Sequence, residues 1–262
     1  MRATLLSRDF PFAAVAGVGG LTALAWLDIW RRAGTMATDA GMGVSMAMTM
    51  PRPMPWDLPD LIAAGSMWSV MMTAMMLPSA MPIVLLVSAV QRSRTVGTRG
   101  PTVALFAAGF LLVWLVWSWF AAGLQWTLQA WLVLSPHLAV VRLPLAVGFL
   151  VLAGLYQFTP LKHACLARCQ SPLGFLLTQW RDGSWAGLRM GTRYGAYCVG
   201  CCWALMGLLF VVGVMNVLWI AVLAAFVLME KTVRGPWLGR ATGVALIAWG
   251  LYLLVAAPAT MT

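Results

Sequence analysis

A chain of 262 residues with 62% hydrophobic and only 9% charged residues, and a mean hydropathy of +0.87, lies outside the range of soluble globular domains. A net charge of +10 points at first sight to nucleic acid, but the basic residues are dispersed over short segments between apolar runs instead of forming one face. Composition therefore argues against a soluble enzyme or a nucleic-acid-binding module and indicates an all-α, polytopic transmembrane helical bundle, read as a single membrane domain over 1–262 whose first partner is the lipid bilayer.

Seven apolar runs approach the roughly 20 helical residues needed to cross a hydrocarbon core. They cover about 11–30, 61–90, 102–123, 143–159, 194–215, 217–230 and 242–258, the fourth and sixth being short, with six or eight spans as alternatives. The first run follows a basic segment with Arg2 and Arg8, as a signal peptide does, yet Leu21–Trp30 is bulky and ends in Trp30-Arg31-Arg32 instead of a small-residue cleavage site. It reads as a retained helix. Residues 31–57 form a Met-rich extracytoplasmic loop carrying Met36, Met42, Met46, Met48, Met50 and Met54, and Pro51, Pro53 and Pro55 argue against any helix or strand there.

The second run is the longest. Met67, Met71 and Met75 are spaced four apart and drift by only about 80° around a 3.6-residue helix, with Met72 and Met76 in a second row. Pro78 and Pro82 are expected to bend this helix. Asp57 and Asp60 precede it, where carboxylates favour a helix N-terminus. Tryptophans near the ends of the runs, among them Trp26, Trp30, Trp56, Trp126, Trp131 and Trp237, fit the aromatic belts of a membrane interface.

Residues 160–193 are the longest hydrophilic connection. Lys162 through Gln170 is expected to form a short surface helix that stops at Pro172, Trp180-Arg181-Asp182-Gly183 reads as a turn, and the fifth span is expected to begin near Tyr194. Assigning this connection to the cytoplasm places 13 Lys and Arg inside (Arg92, Arg94, Arg99, Lys162, Arg168, Arg181, Arg189, Arg193, Lys231, Arg234 and Arg240 with Arg2 and Arg8) and four outside (Arg31, Arg32, Arg52, Arg142). That bias predicts an N-in, C-out orientation.

All five cysteines lie between 165 and 202. Cys165 and Cys169 share a face at i, i+4; Cys198, Cys201 and Cys202 share one at i, i+3, i+4, in the first turns of the expected fifth span at the cytoplasmic end of the bundle. Thiolates are soft ligands for Cu(I), Zn(II) or iron–sulfur centres, and His163 offers an imidazole beside them. Two other readings stand next to the metal site: cysteine as a small apolar packing residue, and a thiol redox pair. A structural disulfide is not expected on a reducing side of the membrane.

Eighteen methionines supply a second soft-ligand set, in which thioethers of Met67, Met71, Met75 and Met76 either pack or contact Cu(I). Glu230, at the end of the sixth run and followed at once by Lys231, is either interfacial or a hard ligand or proton carrier near the cysteines. Asn216 reads as a cap at a tight turn, and His137 as a solvated outside histidine. The two histidines fall on opposite sides, no Ser-His-Asp set can be assembled, and no phosphate-binding glycine loop occurs, so no catalytic or cofactor-binding residue is assigned.

Four stretches carry a family resemblance: Met67-Trp68 with Ala74-Met75-Met76-Leu77-Pro78-Ser79; Tyr156-Gln157, Pro160, Lys162, Cys165-Leu166 and Cys169; Arg189-Met190-Gly191 with Tyr197-Cys198 and Cys201-Cys202-Trp203-Ala204-Leu205-Met206; and Val214-Met215-Asn216 with Glu230-Lys231. Over roughly 61–232 the chain resembles the bacterial family of predicted metal-binding integral membrane proteins. The resemblance implies a helical protein of the bacterial inner membrane with a metal site, and supplies no substrate or reaction.

Three functions follow as expectations. The first is Cu(I) handling, by uptake, relay or delivery, in which outside methionines capture the ion, second-span methionines pass it and cytoplasmic cysteines receive it, with a membrane protein or metallochaperone as partner. The second is a non-transporting accessory subunit with a structural metal, its small residues permitting close helix contacts within a complex or an oligomer. The third is a thiol oxidoreductase using Cys198 and Cys201.

Overall fold

The computed structural model describes residues 9–47, 57–93, 102–130, 143–180, 183, 185–233 and 235–256, and among them ten helical segments and no strand occur. In chain order these are α1 (Asp9–Ala47), α2 (Leu58–Ser93), α3 (Thr102–Ala130), α4 (Leu143–Tyr156), α5 (Pro160–Gln170), α6 (Pro172–Gln179), α7 (Ala186–Gly207), α8 (Leu209–Val212), α9 (Val217–Thr232) and α10 (Trp237–Ala256). Four stretches are long and apolar enough to cross a membrane: α2, α3, α7 with α8, and α10. A fifth arises if α4 and α5, bent by 64° at their break, form one broken span. Against the seven runs of the sequence, α9 has only 16 residues, and α1 carries Asp28 within its apolar stretch and Arg31 and Arg32 directly after it.

Three expectations about boundaries give way. Helix α1 continues through Arg31, Arg32 and the first methionines to Ala47, where a loop was expected. The prolines that break helices begin only at Pro51, while 31–47 holds no proline, and Arg32 pairs with Asp28 one turn back at 2.5 Å. Residues 48–56, with Met48, Met50, Met54 and Trp56, lie outside the described residues, as do His137 and Trp131. Helix α7 begins at Ala186 and not near Tyr194, so Cys198 sits about three turns inside it instead of in its first turn. Helix α5 is not a surface helix, because Lys162, Cys165, Leu166 and Cys169 are buried along one face.

Helix α2 runs unbroken through Pro78 and Pro82, with a described start in which Asp60 accepts the Asp57 backbone N–H at 3.1 Å. It packs against α1, α3, α6 and α9, which explains why Met67, Trp68, Met71, Met72, Met75 and Met76 are all buried. Trp68 donates its indole N–H to Gln125 of α3 at 2.6 Å and lies against the ring of Phe210 in α8.

The closest helix pair is α3 with α7, and glycines make it so. A Cβ on Gly191 would stand 2.1 Å from the Phe106 carbonyl oxygen, and one on Gly187 would stand 2.4 Å from that of Thr102. Reciprocally, one on Gly109 would stand 2.4 Å from the Leu188 carbonyl oxygen. Small residues every four positions on α7 let two backbones touch, the usual means of tight packing where lipid removes the hydrophobic drive. In the same way Gly154 and Gly243 join α4 to α10. The contact fixes the rotation of α7, turning Tyr194, Cys198, Cys201, Cys202 and Leu205 inward.

Gly191→Ala is expected to lower unfolding stability in detergent by about 1–3 kcal/mol or more through overpacking. Gly148→Ala, whose Cβ meets nothing within 4 Å, should be neutral or stabilise by roughly 0.5–1 kcal/mol. Equal midpoints for the two variants would refute the glycine contact as the determinant of α7 placement.

Candidate metal centre

The site is assembled by two local devices. Thr159 caps α5, its Oγ1 accepting the Lys162 N–H at 3.3 Å, with Pro160 in the first helical position. The start being fixed there, Lys162, Cys165, Leu166 and Cys169 follow at i, i+3, i+4 and i+7 and meet α7 and α9. At the other end Gln170 donates its amide to the carbonyls of Glu230 (2.8 Å) and Val233 (3.0 Å), so a side chain ending α5 satisfies the C-terminus of α9.

Between these helices the sulfurs converge. The thiols of Cys169 and Cys201, from α5 and α7, are close enough to interact, as are those of Cys202 with Cys198 and with Cys201. The thiols of Cys201 and Cys202 also donate to the Cys198 carbonyl at 3.1 and 3.0 Å. Cys165 lies at the edge: its Sγ would be 2.7 Å from a Cβ on Gly200, so the glycine admits it against α7. All five cysteines are buried and free of disulfides. Among the described residues no three Cys, His, Asp or Glu side chains stand in an arrangement ready to hold a metal ion. The sulfurs face one another and a helix carbonyl, so ligation requires rotation about their Cα–Cβ bonds and loss of thiol protons.

His163 is half-buried on α5; at i+2 before Cys165 and i+6 before Cys169 it does not share their face. Met67, Met71, Met75 and Met76 belong to the same continuous buried core as the cysteines. Asn216 caps α9 by accepting the Trp219 N–H at 3.4 Å.

Glu230 is not at a solvated boundary. It is 2% exposed, and Lys162, 1% exposed, holds its Oε1 at 2.6 Å as an ion pair. The Lys162 ammonium also donates to Gln157 Oε1, while Gln157 Nε2 has no partner among the described residues. Gly239 of α10 closes over this group, since a Cβ there would lie 3.1 Å from Glu230 Oε1. Next along the chain Lys231, also buried, turns toward the cysteines, donating to Ser79 Oγ at 2.8 Å and meeting Cys198 Sγ at 2.9 Å. Ser79 in turn donates to the Met76 carbonyl at 2.8 Å.

The sequence assigns no site role to Lys162, Lys231, Gln157 or Ser79, although all four stand in the stretches that carry the family resemblance. A signal was present: Lys162 shares the helical face of Cys165 and Cys169, and a lysine on the face of buried thiols is a candidate buried cation. A cavity of about 400 Å³ lies beside the cluster, between α3, α4 and α7, but Trp117, Phe120, Phe149, Trp203 and Phe210 line it almost wholly with carbon. Met206, Tyr156 and Thr159 are the lining residues that carry sulfur or oxygen in their side chains, apart from the indole nitrogens.

A family model described as PpoB2, copper chaperone, matches residues 65–253. No curated protein and no solved structure matches the chain.

Removing one member of a buried ion pair leaves the other uncompensated. Glu230→Met alone is expected to cost about 3–5 kcal/mol of stability, whereas Glu230→Met with Lys162→Met should recover most of the loss. Unfolding of both variants in detergent tests this, and a double variant no more stable than the single one would show the pair to be unimportant.

Proposed function

Since the chain belongs to the PpoB2 copper-chaperone family, whose match spans most of its length, we propose that it binds Cu(I) within the membrane and delivers it to a partner protein. The observation that carries this reading is the approach of Cys169 of α5 to Cys201 of α7, beside Cys198 and Cys202, which gathers soft sulfur ligands from two helices in a buried place. Thiolate softness favours Cu(I) over Zn(II) where the family is one of copper proteins.

The methionines enter as donors to this centre. From Met75 and Met76 the α2 helix leads in one turn to Ser79, which touches Lys231, which touches Cys198, so the thioether row and the thiol cluster adjoin through two side chains. Movement of Cu(I) from neutral thioethers to anionic thiolates is downhill in ligand strength, and that gradient gives the route its direction. Burial of every one of these sulfurs means that side chains must part for the ion to enter or leave. The membrane is the bacterial inner membrane in this reading, with the cysteine-bearing connection on the cytoplasmic side and the recipient a membrane protein or a metallochaperone. A description as a chaperone favours delivery over bulk uptake. Glu230 and His163 play no first part in ligation, since the one is engaged by Lys162 and the other is turned from the thiols.

Elemental analysis of purified protein tests the centre: wild type is expected to retain copper, and Cys198→Ser with Cys201→Ser to bind Cu(I) more than about 100-fold more weakly. Undiminished copper in the double variant would dispose of the site. Replacing Met71, Met75 and Met76 together by Leu, a change that keeps bulk and apolarity, is expected to slow loading of the cysteines by external Cu(I) without reducing their final affinity; unchanged loading kinetics would remove the methionines from the route.

A further inference from the structure

The cavity between α3, α4 and α7 opens toward lipid. Helix α3 packs on α2 and α7, and α4 on α7, α8 and α10, so among the described residues α3 and α4 stand apart with the cavity between them. Met206 and Gly207 of α7 and Phe210 of α8 lie beneath it, whereas Phe120 of α3 and Leu152 and Leu155 of α4, at its rim, are exposed on helices read as lying within the membrane. At about 400 Å³ the space falls among ligand pockets, which run from roughly 300 to 1,000 Å³.

Two features of the lining restrict what fits. Trp117 lines the cavity about midway along α3, and its indole nitrogen is buried without a hydrogen-bond partner among the described residues. A buried donor of this kind calls for an acceptor. The hydroxyls on the same lining are already engaged, Tyr156 donating to the Gly200 carbonyl and Thr159 to the Tyr156 carbonyl. The walls are also aromatic: the Trp117 ring stands 5.3 Å from that of Phe120 and 6.2 Å from that of Trp203, and Phe149 of α4 stacks on Phe210 at 6.0 Å. Such walls suit a flat ring, held by offset and edge contacts, better than a flexible chain. Phospholipid esters and headgroups lie at the borders of the roughly 30 Å hydrocarbon core and do not reach the middle of a span. The acceptor for Trp117 therefore belongs to an uncharged, planar molecule that is itself dissolved in hydrocarbon.

We propose that this cavity binds the head ring of a membrane quinone, which enters laterally between α3 and α4 and places one ring carbonyl where it accepts the Trp117 N–H, with the ring among Phe120, Phe149 and Trp203. Binding makes and breaks no covalent bond and moves no electron. The site is separate from the copper reading, since no cysteine lines it.

The test titrates the full chain in detergent with decylubiquinone, follows the quinone retained through gel filtration by its absorbance, and records the carbonyl stretch of the bound quinone by infrared difference spectroscopy. Wild type is expected to take up one quinone per chain saturably, with a carbonyl band moved to lower wavenumber. Trp117→Phe keeps a ring and removes the N–H, and is expected to bind about 3–10-fold more weakly and to lose the band shift. A Cβ on Gly207 meets nothing nearer than Phe149 at 3.8 Å, so Gly207→Leu extends into the space and is expected to abolish uptake. No saturable uptake, a band shift retained in Trp117→Phe, or displacement of the quinone by an equal concentration of decane, which would show a groove for acyl chains, overturns the proposal. Should Gly207→Leu not fold, the band shift and its response to Trp117→Phe still decide.

Discussion

Two ammonium groups buried between α2, α5, α7 and α9 are the constraint on which the rest of this structure turns. Charges so placed are tolerated only where a partner is held in register: a lone buried cation is strongly unfavourable, and a well-paired one roughly neutral. Lys162 therefore has to find Glu230, and Lys231 has to find Cys198 and Ser79. Each contact crosses from one helix to another, so the two lysines tie together segments that are far apart in sequence and specify how α9 sits against α2 and α5.

That register is prepared by features with no charge at all. Glycines 187 and 191 bring α7 against the backbone of α3 and turn its cysteine face away from lipid. The Thr159 cap and Pro160 begin α5 at the residue that places Lys162, Cys165 and Cys169 in one line, and Gln170 ties the end of α5 to the end of α9. Helix α5, bent by 64° from α4, carries its line of thiols against α7. The sulfur cluster is the place where these three separate local choices coincide, and the copper reading proposed above draws on that coincidence: buried thiols with a lysine beside them.

The methionines of α2 pack the core, and the relay proposed for them has to work within that packing. Those of α2 are wholly enclosed, as flexible fillers of an irregular core are expected to be. Enclosure does not distinguish a filler from a ligand, but it does fix what a relay demands, namely that α2 and its neighbours separate transiently. An aromatic-lined cavity leaves free volume next to Ala204 and Gly207 of α7.

By itself the sequence determined the helical class, the approximate centres of most helices, the shared faces of Cys165 with Cys169 and of Cys198 with Cys201 and Cys202, and the Asn216 cap, because each depends on the hydrophobicity or spacing of residues near one another in the chain. It misplaced the start of α7 and the end of α1, since Arg189, Arg193, Arg31 and Arg32 look like loop residues when their helical neighbours are not known. Only the tertiary structure decided that the two cysteine groups meet, that Glu230 is paired and buried rather than interfacial, and that Lys231 points at sulfur. Those facts depend on helix rotation and crossing, set by glycine contacts between α3 and α7 and by the bend after α4, and no periodicity along a single helix records the direction in which another helix will face it.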